Sequence, residues 1–147
     1  MVRNILMVCI GNICRSPMAQ GLIGQRLCEA GIEGFEVKSA GLNALVGYPV
    51  EGTAQRLMQE QGVDLSAHRA RQLDRELLLW ADLILVMEKE QKKILNSIAP
   101  TARGKTYRLG EWSDADVLDP YGQPIEVFRD ALRLIDDGVC EWLERFR

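Results

Sequence analysis

The sequence is poor in the residues on which several common kinds of active site depend. Its 147 residues include a single histidine, His68, which excludes a metal site built from several histidines. The same scarcity leaves a Ser-His-Asp or Cys-His mechanism only one possible base. The four cysteines, at positions 9, 14, 28 and 140, form no C-x-x-C pair and no compact disulfide framework. This cysteine usage is typical of a reducing compartment, so we expect a cytoplasmic protein.

The sequence also lacks an excess of positive charge and long apolar runs. Eighteen basic and 21 acidic residues give a net charge of -3, which leaves no surplus to neutralise a nucleic acid or an anionic bilayer. Apolar runs such as residues 5–10 and 83–87 are far below the roughly 20 residues that span a membrane. We therefore expect no nucleic-acid partner and no membrane insertion. The length and the 47% hydrophobic content predict one globular domain over residues 1–147.

Short apolar segments alternate with amphipathic ones along the chain. The pattern predicts strands at residues 3–8, 35–39, 83–87 and 107–109. It predicts helices from residue 17 to a stop at Gly31, across residues 54–62, and over 73–80, 88–98 and 125–146. Because right-handed crossovers need helices on both faces, this order predicts an α/β fold with a doubly wound, four-stranded parallel sheet. Ligands of such folds bind at the carboxyl ends of the strands.

The segment between the first strand and the first helix, residues 9–17, reads CIGNICRSP and is a candidate anion-binding loop. A loop that enters a helix N-terminus presents backbone N–H groups and a partial positive charge, which favour a phosphate-like group. A cysteine in this setting, beside an arginine, is stabilised as a thiolate. Five residues separate Cys9 from Arg15, so the loop can curl and turn both side chains toward one anion. Arg15 supplies a planar fork that matches two phosphate oxygens.

Other residues of the loop have supporting properties. Ser16 can donate a hydrogen bond to the sulfur of Cys9, and Asn12 tolerates left-handed backbone dihedrals. Cys14 has two interpretations: it forms a protective disulfide with Cys9, or it is a small side chain that fills the loop. The remaining cysteines, Cys28 and Cys140, are expected in the cores of their helices.

The loop resembles the active-site loop of the low-molecular-weight protein tyrosine phosphatases, in the bacterial form associated with exopolysaccharide export. The resemblance spans nearly the whole chain and extends through Ser39-Ala40-Gly41, Ala70-Arg71-Gln72 and Asp119-Pro120-Tyr121-Gly122. It implies a phosphoric monoester hydrolase with no metal and no organic cofactor. The phosphate-binding loop that it implies, placed after the first strand, consists of Ile10, Gly11, Asn12, Ile13, Cys14, Arg15 and Ser16.

The resemblance also implies roles for individual residues. Cys9 attacks phosphorus and forms a phosphocysteine, while Arg15 holds the phosphate oxygens. The residues alone leave Asp114, Asp116 and Asp119 as candidate general acids. Because the family carries its acid in an Asp-Pro-Tyr segment, the resemblance selects Asp119.

Further residues are implied around this centre. A hydrogen-bond network of Asn12, Ser16, Ser39 and His68 supports the loop, and His68 is assigned support rather than proton transfer. The walls of the phosphotyrosine pocket are Ile13, Leu45 and Tyr121. The expected partner is a phosphotyrosine protein, namely the tail of a bacterial tyrosine autokinase that controls exopolysaccharide production.

Three alternatives share this loop. Arsenate reductases of the same fold need further cysteines near positions 80–90, where this sequence has none. Arginine phosphatases of the family carry threonine at the position of Ile13, whose bulkier aliphatic side chain favours a phenyl phosphate. A non-catalytic module that binds phosphotyrosine or another oxyanion needs neither Cys9 nor Asp119, and turnover of an aryl phosphate distinguishes it from an enzyme.

Overall fold

A computed structural model describes residues 1–146 of the chain. The elements, in chain order, are β1 (Asn4–Cys9), α1 (Arg15–Glu29), β2 (Glu36–Gly41), α2 (Gly52–Glu60), α3 (Arg75–Trp80), β3 (Leu83–Val86), α4 (Lys89–Ile98), a 3₁₀ helix (Pro100–Lys105), β4 (Thr106–Arg108) and α5 (Ile125–Phe146). Within these residues no helix is long and apolar enough to cross a membrane.

The strands form a four-stranded sheet in the order β2-β1-β3-β4, with every neighbouring pair parallel. Ile5 and Met7 of β1 face a core shared with α1, α2 and α5. Leu6 and Val8 face a second core, shared with α3 and α4. The predicted doubly wound α/β fold is confirmed. Burial of β1 on both faces explains why its sequence is continuously apolar rather than alternating.

The ends of β1 and α1 differ slightly from the sequence prediction. The strand continues to Cys9, and the helix begins at Arg15, two residues before Pro17. Cys9 is thus the last residue of a central strand, and Arg15 lies in the first turn of the following helix. The chain leaves β1 toward β2 on one side of the sheet, while β3 pairs on the other side. The loop therefore lies at the point where the strand order reverses, which is the usual ligand site of this architecture.

The prediction that Cys28 and Cys140 lie in helix cores is wrong, because both side chains are exposed. Each of them follows a buried residue directly, Leu27 in α1 and Val139 in α5. One residue corresponds to a rotation of about 100° around a helix axis, so each cysteine lies outside the buried stripe. A nearby apolar neighbour in sequence does not place a residue on the apolar face.

Candidate active site

The loop after β1 turns its carbonyl groups away from the centre of a pocket. Every carbonyl oxygen from Cys9 to Cys14 accepts a hydrogen bond from another part of the chain. In order, the donors are the backbone N–H groups of Leu42, Asn43 and Leu45, the Nε2 of His68, and the backbone N–H groups of Glu51 and Met18. Because the C=O and N–H of a peptide unit point in opposite directions, the N–H groups of the loop point inward. This arrangement is an anion-binding nest at a helix N-terminus.

Asn12 holds the loop in this curled shape. Its backbone adopts the left-handed conformation expected from the sequence, with a φ of 60°. Its Nδ2 donates to the hydroxyls of Ser16, at 2.8 Å, and Ser39, at 3.0 Å. Its Oδ1 accepts from the backbone N–H of Arg71 at 2.9 Å. A single side chain, buried completely, therefore ties the loop to α1, β2 and a neighbouring segment.

Close packing also fixes the loop against the end of β2. A Cβ atom at Gly41 would lie 2.4 Å from the carbonyl oxygen of Ile10. No real Cβ atom approaches an oxygen so closely, so only glycine lets β2 pass the loop at this distance. The contact explains physically why the Ser39-Ala40-Gly41 segment accompanies the loop sequence.

The sulfur of Cys9 lies at the floor of the pocket, and the residue is 2% exposed. The hydroxyl of Ser16 lies 2.9 Å from the sulfur, and the backbone N–H of Asn12 donates to it at 3.3 Å. Since the Ser16 oxygen accepts a hydrogen bond from Asn12, its own hydrogen is available for the sulfur. Hydrogen bonds donated to sulfur stabilise the thiolate over the thiol.

Arg15 is held rigidly from one side. Its Nη1 donates to Glu88 Oε2 at 2.5 Å and to the carbonyl oxygen of Val117 at 2.9 Å. Within the described residues, Nε and Nη2 donate no hydrogen bond, so this edge of the guanidinium is available to an anion. The buried positive charge is thus paired and oriented before any ligand binds. The Nε and Nη2 edge has the planar geometry of the fork that the sequence predicts.

The structure brings Asp119 to the same pocket. One carboxylate oxygen of Asp119 lies 4.0 Å from Arg15 Nη2, and the side chain is about half exposed. The pocket has a volume of about 270 Å³ and is lined by Cys9, Ile10, Gly11, Asn12, Ile13, Cys14, Arg15, Asn43, Leu45, Asp119 and Tyr121. The remaining candidate acids, Asp114 and Asp116, do not line it, because both are paired with Arg108. Among residues 1–146 no cluster of His, Cys, Asp or Glu could hold a metal ion.

A sequence profile described as low molecular weight phosphotyrosine protein phosphatase matches residues 4–147. The chain belongs to this family. The family is one of enzymes, so the non-catalytic alternative considered from the sequence is not supported. The resemblance noted from the loop and the Asp119 segment is confirmed.

Individual relatives of this phosphatase cover almost the whole chain. "Probable low molecular weight protein-tyrosine-phosphatase EpsP" of Ralstonia nicotianae is 47% identical over 147 residues, which are 100% of this chain and 98% of that protein. Vibrio vulnificus Wzb, solved in complex with benzylphosphonate, superposes with a TM-score of 0.92 at 39% identity and covers 99% of both chains. A YwlE arginine phosphatase, a cysteine-to-serine mutant with a phosphorylated active-site serine, has a TM-score of 0.90 at 30% identity and covers 97% of this chain and 94% of its own.

The half-buried His68 and the buried Cys14, both near the loop of the phosphatase, are kept uncharged. Burial lowers the pKa of His68, so its imidazole is neutral at neutral pH and its Nε2–H donates to the carbonyl oxygen of Asn12 at 2.8 Å. Burial, followed by the negative charges of Glu51 and Asp119, raises the pKa of Cys14 far above its ordinary value. Cys9 and Cys14 are both free thiols here.

Glu88 is a further site residue of the phosphatase that the sequence pattern does not reveal. The pattern predicts only that a charged amphipathic helix begins at Glu88, whereas the side chain pairs with Arg15 across 73 positions in sequence. One signal was present, since Glu88 follows closely after β3 and the carboxyl ends of parallel strands share one edge of the sheet. Gln91, which is buried, donates to the same carboxylate and holds it in place.

Proposed function

We propose that this phosphatase hydrolyses phosphotyrosine in proteins through a phosphocysteine intermediate on Cys9. The observation that carries the proposal is the shared pocket, in which a buried sulfur, an inward-facing set of N–H groups, the free edge of Arg15 and the Asp119 carboxyl surround one space. The single domain over residues 1–147 contains the whole of this machinery.

In the first step, the thiolate of Cys9 attacks phosphorus and the bond from phosphorus to the tyrosyl oxygen breaks. Asp119 gives its proton to the departing oxygen, so tyrosine leaves as a neutral phenol. The loop N–H groups and Arg15 hold the equatorial oxygens of the transferring phosphoryl group. Because these donors are already oriented, they stabilise the transition state without reorganisation.

In the second step, a water molecule attacks the phosphocysteine. The carboxylate of Asp119 accepts a proton from that water, and the bond between sulfur and phosphorus breaks to release inorganic phosphate and the Cys9 thiolate. The hydrogen bonds from Ser16 and Asn12 to the sulfur favour the thiolate as a leaving group in this step. Within the described residues the pocket lining includes no histidine, which suits a mechanism whose one acid and base is Asp119.

Replacement of the general acid tests this assignment. We expect Asp119→Ala to lower kcat/KM for phenyl phosphate, which reports the step that expels the phenol, by about 10²- to 10⁴-fold, since general acid catalysis contributes on that scale. The loss should shrink for p-nitrophenyl phosphate, because its leaving group needs less protonation. Initial rates with a series of aryl phosphates measure both effects. Asp114→Ala is the control, since the exposed Asp114 side chain lies outside the pocket. If Asp114→Ala or Asp116→Ala shows the larger loss, Asp119 is not the acid.

The pocket walls support tyrosine as the phosphorylated residue. Leu45 and Tyr121 line the mouth of the pocket and are partly exposed, whereas the Cys9 sulfur is buried at its floor. A phosphate on a long aromatic stem reaches this depth while the ring lies between apolar side chains. A phosphoserine stem is too short to do so.

We extend the proposal to a biological partner. The net charge of -3 provides no long-range attraction for an acidic protein, so recognition depends on the pocket and on a flexible phosphorylated segment that enters it. The partner that we propose is the tyrosine-rich tail of a tyrosine autokinase that controls exopolysaccharide production. The resemblance to the export-associated bacterial form supports this role. The free cysteines suit a cytoplasmic location.

Arginine phosphatase is the second candidate function, because a YwlE arginine phosphatase shares the fold at a TM-score of 0.90. Ile13, which lines the pocket and is almost fully buried, opposes it. An apolar wall there offers no hydrogen bond to a guanidinium group but packs well against a phenyl ring.

A matched set of peptides tests the substrate class. We expect phosphate release from a phosphotyrosine peptide to exceed that from peptides of the same sequence with phosphoserine or phosphoarginine by about 10²-fold or more. A factor of this size is expected because the wrong substrate leaves polar groups of the pocket unpaired. The measurement is kcat/KM for released phosphate. Comparable rates on phosphotyrosine and phosphoserine would remove the pocket argument and the kinase-tail proposal. Faster release from phosphoarginine would establish the second candidate.

A further inference from the structure

The segment that carries Asp119 has few attachments of its own near the carboxyl group. Asp119 makes a local turn, in which its Oδ1 accepts from the backbone N–H of Tyr121 at 3.0 Å. Its other contact is the distant approach to Arg15 at 4.0 Å. Leu118, directly before it, is 64% exposed. The position of the acid therefore depends on where the preceding chain is fixed.

The chain that precedes Asp119 is held in place at Asp116 and Val117. The backbone N–H of Val117 donates to the carbonyl oxygen of Met87 at 2.9 Å, and its own carbonyl oxygen accepts from Arg15. The Oδ1 of Asp116 accepts from the backbone N–H of Lys89, at 3.0 Å, at the start of α4. These contacts place the chain beside the end of β3, next to Glu88 and Arg15.

Arg108 is the charged group that holds this point. It is the last residue of β4 and only 6% exposed, and its Nη1 donates to Asp116 Oδ1 at 2.9 Å. Its Nη2 donates to the carboxylate of Asp114, which lowers the pKa of that carboxyl. The backbone of Arg108 is itself anchored, because its carbonyl oxygen accepts from Nε1 of the buried Trp142.

The backbone between Arg108 and its two carboxylate partners forms a tight turn. Asp114 adopts a left-handed conformation with a φ of 50°. The N–H of Ala115 donates to the carbonyl oxygen of Gly110 at 3.0 Å, and a Cβ atom at Gly110 would lie 2.3 Å from the oxygen of Ala115. Residues 110–117 thus form a compact turn, closed over Gly110 and joined to β4 by the two ion pairs of Arg108.

We propose that Arg108 is a positioning residue for Asp119, acting through its ion pair with Asp116. Arg108 does not line the pocket, so it does not touch the substrate. It fixes the turn from which Leu118 and Asp119 extend, and without it the carboxyl group loses its alignment with the leaving oxygen. This inference rests on the proposed role of Asp119 as general acid. Misplacement of a catalytic group by about 1 Å costs up to about 10²-fold in rate.

The first test is Arg108→Met, which keeps the apolar stem and removes the charge. We expect kcat/KM for phenyl phosphate to fall by about 10- to 100-fold and kcat/KM for p-nitrophenyl phosphate to fall much less, because kcat/KM reports the step in which the phenol leaves. A merely structural effect would lower the active fraction and so reduce both rates equally. Arg129→Met, which removes an exposed ion pair between Arg129 on α5 and Glu60 on α2, is the matched control and should leave both rates unchanged.

Further variants keep the proposal open to refutation if Arg108→Met folds poorly. Asp116→Asn should also lower the rate with phenyl phosphate more than the rate with p-nitrophenyl phosphate, but both losses should be smaller than in Arg108→Met. Arg108→Lys should restore part of the rate, because an ammonium group can pair with one carboxylate. Asp114→Asn should change kcat/KM by less than about 2-fold, since the Asp114 carboxylate is largely exposed to water and such pairs contribute little. Melting temperatures of all variants are measured alongside the rates.

A double mutant separates this inference from the proposed function. If Arg108 acts through Asp119, Arg108→Met should cost little further rate in an Asp119→Ala background. Equal costs in both backgrounds, or an equal loss for both leaving groups, would overturn the positioning role while leaving Asp119 as the acid. Absence of any leaving-group effect in Asp119→Ala itself would instead overturn the proposed function.

Discussion

Cys9→Ser should lower the turnover of p-nitrophenyl phosphate by about 10⁵-fold or more, the scale on which loss of a nucleophile affects an enzyme. A serine hydroxyl ionises far less readily than a thiol, and Asp119, which holds its proton for the leaving oxygen in the first step, cannot act as its base. His68, the only histidine, donates its Nε2–H to the carbonyl oxygen of Asn12 and does not line the pocket. The anion site itself remains, because Arg15 and the loop N–H groups are unchanged.

The measurement for this variant has two parts. Initial rates report turnover, and titration calorimetry with inorganic phosphate reports binding, which we expect to persist. Cys28→Ser is the matched control, since this exposed thiol lies on α1 away from the pocket. Retention of more than about one hundredth of the activity by Cys9→Ser would rule out the phosphocysteine mechanism, given the expected scale of loss. The phosphorylated serine in the related YwlE mutant suggests a second readout, namely mass spectrometry for a trapped phosphoryl group.

Arg15→Lys should lower kcat/KM by about 10³-fold, at the lower end of the effect of an arginine that holds a transferring phosphoryl group. The guanidinium performs separate tasks on its separate edges. Nη1 donates to Glu88 and to the carbonyl oxygen of Val117, while Nε and Nη2 donate no hydrogen bond within the described residues. A lysine has one nitrogen, which Glu88 will attract away from the phosphate position, so the planar fork is lost.

The kinetic constants for p-nitrophenyl phosphate and the inhibition constant of inorganic phosphate measure this effect. Arg129→Lys on the surface of α5 is the control for a change from arginine to lysine. We expect kcat to fall more than phosphate affinity, because the fork fits the transition state better than it fits the ground state. A loss smaller than about 10-fold in kcat/KM would show that the loop N–H groups, rather than Arg15, provide most of the stabilisation.

Part of the site follows from the sequence because its parts are close together in the chain. Cys9 and Arg15 belong to one strand-loop-helix unit, and the apolar run of the strand, the glycine and the helix start are all local signals. The left-handed conformation of Asn12 is local as well. The parallel sheet also follows from the sequence, since strands that alternate with helices must be joined by crossovers.

Other features depend on contacts between distant parts of the chain, for which periodicity gives no signal. Arg15 meets Glu88 across 73 positions and Val117 across 102. The local composition of residues 114–119 leaves three aspartates equivalent, and the family resemblance alone favoured Asp119. The fold separates them, because Arg108 binds Asp114 and Asp116 and leaves Asp119 to extend to the pocket.

The sequence by itself thus determined the fold class, the anion-binding loop and the residue types in it. Only the tertiary structure decided which face of α1 and α5 is buried at Cys28 and Cys140, which carboxylate orients Arg15, and which aspartate reaches the pocket. The physical reason is that short-range preferences set the backbone of each element, whereas side-chain partners are chosen by the packing of whole elements against one another. Glu88 follows the central strand β3 and Arg108 ends the edge strand β4, and only assembly of the sheet brings them to the same end of the sheet as Cys9.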